Sequence, residues 1–273
     1  MKKRLFLLDA YALIFRGYYA FIKNPRINSK GLNTSAILGF MNSLFEVIKK
    51  EKPDHLAVAF DKGGSVARTE LFTDYKANRE ETPEAIRLAI PYIHEILKAL
   101  HIPIIEKEGY EVDDIIGTLS KQAEVQNYQV YMVTPDKDYA QLVSDNIFMY
   151  RPARSGNDIE IWGVKEVQEK FEVQNPLQVI DFLGMMGDAV DNIPGLPGVG
   201  EKTNDPGVRA RPRAGCTHQV GRLVPGGGVD HGHQGLHPMV MAFEILSATL
   251  VQNPPMAEVA TTAAALSSTA AVQ

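Results

Sequence analysis

Apolar and polar positions alternate between two regimes over roughly the first two hundred residues. Residues 4–8, 55–60, 102–105 and 129–134 are short apolar runs with little polar alternation, the pattern of strands buried on both faces. Segments of helical spacing lie between them. In residues 35–50 the apolar positions are Ile37, Leu38, Met41, Leu44, Phe45 and Ile48, and Pro53 stops the run. Residues 83–100 form a second amphipathic stretch, with Thr82 placed as N-cap and Pro83 in the first turn. Residues 112–122 form a third. This order predicts an α/β fold, a mostly parallel central sheet flanked by helices on both faces.

The pattern stops near residue 204. All 16 lysines and 29 of the 33 carboxylates precede that point, giving residues 1–203 a net charge of −5 and residues 204–273 none. The later part divides into a Gly/Pro/His-rich stretch, 204–238, and an Ala/Thr/Ser-rich end with one short candidate helix at 239–251. Gly226 to Gly228 and several prolines oppose regular structure there. We expect a disordered tail, in which His231, His233 and His237 would meet a metal only adventitiously. No repeat of solenoid period is evident.

Composition narrows the function classes. With 45% apolar residues the chain can bury a core. A single cysteine, Cys216, excludes a disulfide scaffold or a Cys-rich zinc site and suits a reducing compartment. The run 239–251 is interrupted by Glu244 and is too short to span a bilayer. Only four apolar residues separate the basic start from Asp9, so a first strand is expected there rather than a secretion signal. The expected location is the cytoplasm, with no membrane partner.

The carboxylates carry the chemistry. Asp9 ends the first strand, Asp61 the second, and Asp136 and Asp138 follow the fourth; Glu111, Asp113 and Asp114 open the helix after the third. Asp188 and Asp191 repeat the three-residue spacing in GDAVDNIPG. In parallel sheets such positions gather beyond the C-terminal strand ends. Any one of these acids alone reads as a cap or turn residue. Nine on one rim would repel, and divalent cations with oxygen ligands would relieve the repulsion. The donor set suits Mg²⁺ or Mn²⁺. Without these nine the formal charge becomes +4, so the acidic total does not oppose a nucleic-acid partner.

Lys62, Arg68, Lys76 and Arg79 lie in a segment of low apolar content directly after Asp61. Ordinary surface charge would explain them singly. Their position favours phosphate contacts, with Tyr75 available to stack on a base. GLPGVGEKT lacks the order of a dinucleotide fingerprint; a glycine hairpin holding a phosphate through backbone N–H groups fits better. A phosphatase using Asp9 as nucleophile would want a second acid at position 11, which is Tyr11.

The segments LLDAYALIFRGYYAF, FDKGGSVARTELFTDYKANR, GYEVDDIIGT, TPDKDYAQLVSD and GDAVDNIPGLPGVGEKT, in this order, resemble the 5′-nuclease domain of bacterial DNA polymerase I, of the flap endonuclease superfamily, over residues 1–203. The resemblance implies a PIN-like fold and a structure-specific hydrolase of DNA 5′ ends and flaps, a monomer using two Mg²⁺ or Mn²⁺ ions. It implies a first metal at Asp9, Asp61, Glu111, Asp113 and Asp114, and a second at Asp136, Asp138, Asp188 and Asp191. It places Arg68, Tyr75, Lys76 and Arg79 at a helical arch or its base, against the scissile phosphate and the threading strand, with Lys76 and Arg79 acting in catalysis. Arg16, Tyr18 and Tyr19 would meet the 5′ end. Gly198, Gly200 and Lys202 would open a helix–hairpin–helix that grips duplex DNA, with K⁺ bound at residues 195–200. The implied domains are a resolvase-like domain at 1–166 and the start of the helix–hairpin–helix domain at 167–203. After Thr203 the chain departs from the family: Pro206 prevents a continuing helix, and neither the remaining helical domain nor the polymerase has a counterpart here. The alternative is a branched-DNA-binding remnant with impaired catalysis. A related nuclease directed at RNA also stays open.

Overall fold

The computed structural model describes residues 2–152 and 158–197. Six strands form one sheet in the order β3-β2-β1-β4-β5-β6. The strands are β1 (Arg4–Asp9), β2 (His55–Lys62), β3 (Ile104–Glu108), β4 (Gln129–Val133), β5 (Ile147–Arg151) and β6 (Glu160–Trp162). All pairings are parallel except β5 with β6. The mostly parallel sheet expected from the apolar runs is therefore present. Strand order reverses between β1 and β4, and in sheets of this kind ligands settle in the crevice at such a reversal.

Period-two alternation sends the strand side chains into two cores. Leu5, Leu7, Ala57, Ala59, Val130 and Met132 face one way and pack with α5 (Val112–Val125), α6 (Val164–Phe171) and α7 (Gln178–Met186). Phe6, Leu8, Leu56, Val58, Phe60 and Val133 face the other way, onto α1 (Ala10–Ala20), α2 (Ser35–Glu51) and α4 (Glu84–Ala99). A short α3 (Val66–Leu71) and a 3-10 helix (Lys137–Leu142) complete the described elements. The sequence boundary at 166/167 falls inside α6, whose Val167 and Phe171 belong to the same core as the sheet.

Some expectations need correction. Pro83, not Thr82, occupies the N-cap position of α4, and Pro91 lies within that helix. Strand β3 starts two residues later than expected and runs to Glu108, because as an edge strand it exposes Glu106, Lys107 and Glu108 to water. Helix α1 packs so closely on α2 that a Cβ on Gly39 would stand 2.2 Å from the Gly17 Cα. Among the described residues no helix is long and apolar enough to cross a membrane. Gly198, Gly200, Lys202 and the whole of 204–273 lie outside the described residues.

Candidate active site

Each acid is placed by a local rule. Asp9 is the last residue of β1 and the N-cap of α1, its Oδ1 accepting the Ala12 N–H at 3.0 Å. Its Oδ2 accepts the hydroxyls of Thr134 and Tyr139, both at 3.2 Å. Asp61 near the end of β2 accepts the Val112 N–H at 2.7 Å, which anchors the start of α5. Glu111 and Asp114 form a capping box at that start, with the Glu111 N–H donating to Asp114 Oδ2 at 3.1 Å. Asp136 caps the 3-10 helix by accepting the Asp138 N–H at 3.0 Å.

Asp188 and Asp191 sit on a tight loop after α7. The Asp188 N–H donates to the Ile193 carbonyl at 2.9 Å and the Ile193 N–H donates back at 2.7 Å. Gly187 takes a left-handed φ of 71°, and a Cβ on Gly195 would meet the Met186 carbonyl at 2.2 Å. Only glycine fits this closure, so the GDAVDNIPG pattern builds the platform for two of the acids.

The basic segment folds down onto the acids. Arg68 makes a two-pronged contact with Asp114 at 2.8 and 2.9 Å and lies 3.2 Å from Glu111. Lys76 Nζ is 2.7 Å from Glu111 and 3.9 Å from Asp191, and Arg79 is 2.6 Å from Asp191. The Tyr75 hydroxyl reaches Glu111 at 3.1 Å and Asp191 at 3.3 Å. Backbone and amide bonds fasten the same segment to the 188–193 loop: Lys76 N–H to the Asp191 carbonyl at 2.9 Å, Asn192 to the Asp74 carbonyl at 2.8 Å, and Asn78 to Asn192 at 2.9 Å.

Electrostatics tie the rim together. Burial, with the charges of Asp61 and Asp136 adding, pushes the Asp9 carboxyl up to about 7 against the hydrogen bonds that oppose it. Burial pushes Asp113 to about 6 despite Arg68, with Asp114 and Glu111 adding. Asp138 is pushed to about 6 by burial and then by Asp136, Asp188 and Asp191. Asp61 is raised by burial and by Glu111, in spite of the Val112 N–H and Lys76. Glu111 goes the other way. Burial would raise it, but the Lys76 hydrogen bond and the Lys76 and Arg68 charges hold it below the usual range. Arg68 is held above its ordinary value, the Asp113, Asp114 and Glu111 charges outweighing burial.

These mutual influences link all nine acids in one electrostatic network at the C-terminal edge of the sheet. Among the described residues, however, no three acids close into a set shaped to hold an ion. Arg68 and Lys76 stand between them as counter-charges. Two carboxylate oxygens, Glu111 Oε1 and Asp138 Oδ1, are buried without a hydrogen-bond partner, an expensive arrangement unless a cation or water meets them.

Arg16, Tyr18 and Tyr19 are placed along α1, Arg16 about 10 Å of helix rise beyond Asp9. Arg16 donates to Ser43 of α2 at 3.4 Å, and Tyr18 and Tyr19 meet edge to face. Thr134, Tyr139, Ser65, Asn78 and Asn192 also contribute hydrogen bonds here, outside the residues that motif and spacing mark. Ser65 caps α3 by accepting the Arg68 N–H at 3.2 Å, a role for which serine is a favoured residue but which no spaced partner in the sequence marks. The others carry no periodic signal.

A family model described as the 5′-3′ exonuclease N-terminal resolvase-like domain matches residues 4–172. The chain is 40% identical over 204 residues to DNA polymerase I of Bacillus caldotenax, covering 74% of this chain and 23% of that one. It is 41% identical over 201 residues to a 5′-3′ exonuclease of Aquifex aeolicus, covering 74% and 67%. The chain thus spans about a quarter of the polymerase relatives it matches. The phage T5 D15 protein co-crystallised with metal ions shares the fold, at TM-score 0.63 and 20% identity, over 96% of this chain and 91% of that one. The catalytic core of Rad2 in complex with a DNA substrate aligns at TM-score 0.50 and 17% identity, over 73% and 58%.

Proposed function

Because the chain belongs to the family of 5′-3′ exonuclease N-terminal resolvase-like domains, we propose that it is a divalent-metal-dependent 5′→3′ exonuclease and 5′-flap endonuclease that hydrolyses DNA phosphodiester bonds. The observation that carries this reading is the nine-carboxylate network at the crevice of the sheet, with buried oxygens of Glu111 and Asp138 lacking partners. An all-oxygen donor set of this kind fits Mg²⁺ or Mn²⁺. The relatives add support: one is named a 5′-3′ exonuclease, and fold neighbours were crystallised with metal ions and with DNA.

Asp9, Asp61, Glu111, Asp113 and Asp114 would hold one ion and Asp136, Asp138, Asp188 and Asp191 a second. Bound there, such ions supply an activated water and positive charge for the attacking and leaving oxygens of a phosphodiester. The chain's own cations then take a second role. Arg68, Lys76 and Arg79, now paired with Glu111, Asp114 and Asp191, pass to the phosphate as incoming charge satisfies the acids. Their spacing along one segment orients the backbone of the 5′ strand, and Tyr75 offers a face to a base. Arg16, Tyr18 and Tyr19 form a contact strip for that strand along α1. Gly198, Gly200 and Lys202 would grip the duplex, with K⁺ at residues 195–200. The substrate is DNA with a 5′ end or flap, the acting species is a monomer, and the expected location is the cytoplasm.

Cleavage of a labelled 5′-flap duplex in Mg²⁺ tests this. Asp114→Asn and Asp138→Asn are each expected to slow cutting by at least about 100-fold, since even groups that only orient metal ligands cost 10–100-fold. Variants that cut as fast as the parent would contradict the assignment.

A further inference from the structure

Two hydroxyls with no role in the reading above end on one carboxylate oxygen. We propose that Thr134 and Tyr139 are positioning residues that fix the Asp9 carboxylate in one orientation and couple it to the Asp136 segment. The proposal rests on Asp9 and Asp136 being metal ligands.

Thr134 and Tyr139 are 0% and 2% exposed. A threonine hydroxyl has a single hydrogen. The Thr134 oxygen already accepts the Asp136 N–H at 3.2 Å, so its hydrogen points to Asp9 Oδ2, 3.2 Å away. The Tyr139 hydroxyl donates to the same oxygen at 3.2 Å. Asp9 Oδ1 takes the Ala12 N–H. Of the roughly four acceptor positions on a carboxylate three are thus filled, which leaves one, on Oδ1, for a cation.

Rotating the Asp9 side chain away would strand two buried hydroxyls, and that cost holds the carboxylate still. Thr134 does more. Its one oxygen joins Asp9, from β1, to the backbone of Asp136, beyond β4, across the crevice where strand order reverses. One side chain thereby ties the first acids of the two groups together, in addition to the parallel β1–β4 pairing that holds their strands side by side. Tyr139 also packs in the core with Leu5, Leu7 and Met132, so a merely structural role must be told apart from a positioning one. Near-isosteric removal of the hydroxyls does so, because valine and phenylalanine keep the packing.

The test uses the full chain and the variants T134V, T134S, Y139F and T134V/Y139F. Calorimetric titration with Mn²⁺ alone is expected to show the double variant weakened about 10–100-fold, as for other groups that orient metal ligands, with Thr134→Ser restoring the parent's affinity. The Mn²⁺ concentration for half-maximal flap cleavage should move by the same factor. A second measurement needs no metal: urea unfolding in EDTA of Tyr139→Phe, Asp9→Ala and their combination. Effects that depart from additivity by about threefold or more in the unfolding equilibrium constant support the contact. Unchanged Mn²⁺ affinity in T134V/Y139F, a Thr134→Ser variant as weak as Thr134→Val, or an additive cycle would each overturn the proposal. A parent that binds no Mn²⁺ while the cycle stays non-additive would overturn the metal reading and the positioning role together, leaving only a buried hydrogen bond.

Discussion

At the level of single residues, the acids are held in a state of electrostatic tension. Burial pushes Asp9 to about 7 and Asp113 and Asp138 to about 6, whereas these groups titrate near 4 in an unfolded chain. Between those values the folded chain binds more protons than the unfolded one, so stability rises as pH falls through 7. Glu111, held low by Lys76 and Arg68, acts in the opposite sense, and only below its ordinary range. In EDTA the thermal midpoint should therefore be higher at pH 5.5 than at pH 8, by roughly 5 °C for a chain of this size. Saturating Mg²⁺ should reverse that order, because a cation binds the ionised acids. Calorimetric scans at the two pH values check this; midpoints independent of pH and of Mg²⁺ would contradict it. The positions of these acids could be read from the sequence because they follow apolar runs. Their hydroxyl partners could not. Thr134 is ordinary strand composition and Tyr139 an ordinary core aromatic until the fold brings both to Asp9.

At the level of elements, close packing decides where the acids stand. Asp9 caps α1, and α1 lies against α2 through the Gly17–Gly39 approach. Gly39→Ala would drive a Cβ to 2.2 Å from a backbone atom that has no side-chain freedom to yield. We expect a loss of about 3 kcal/mol, at the upper end of overpacking costs, read from urea unfolding; a loss below about 1 kcal/mol would show that the helices slide apart easily. Apolar spacing does not reveal helix α1, since AYALIFRGYYA is apolar on most sides and carries little periodic contrast. The end of the edge strand β3 is hidden from apolar patterning for the opposite reason, its last residues being charged. The segment between β2 and α4 is expected from its position to face a phosphate. In the fold it is also docked on the 188–193 loop by Lys76, Asn78 and Asn192, contacts between residues more than a hundred positions apart that no local pattern records.

Over the whole molecule, the shared direction of the strands explains why four separate segments deliver acids to one place, and the loop after α7, docked on residues 74–79, brings the fifth, Asp188 and Asp191. Parallel strands β1, β2 and β4 present their C-terminal ends together, and the crevice between β1 and β4 lies among them. Arg68, Lys76 and Arg79 supply the counter-charge that lets the fold tolerate this crowding. The architecture was legible because apolar runs alternate with helical periodicity; the inward pairing of those cations was not, because a charge run has no partner in sequence alone. The central claim is that this rim holds divalent cations. Anomalous diffraction at the manganese edge, from crystals soaked in Mn²⁺, tests it most directly. The account predicts two peaks at the rim, one among Asp9, Asp61, Glu111, Asp113 and Asp114 and one among Asp136, Asp138, Asp188 and Asp191, lost in crystals of D9N and D138N respectively. A rim without manganese at saturating concentration, with Arg68 and Lys76 still on the acids, would contradict it.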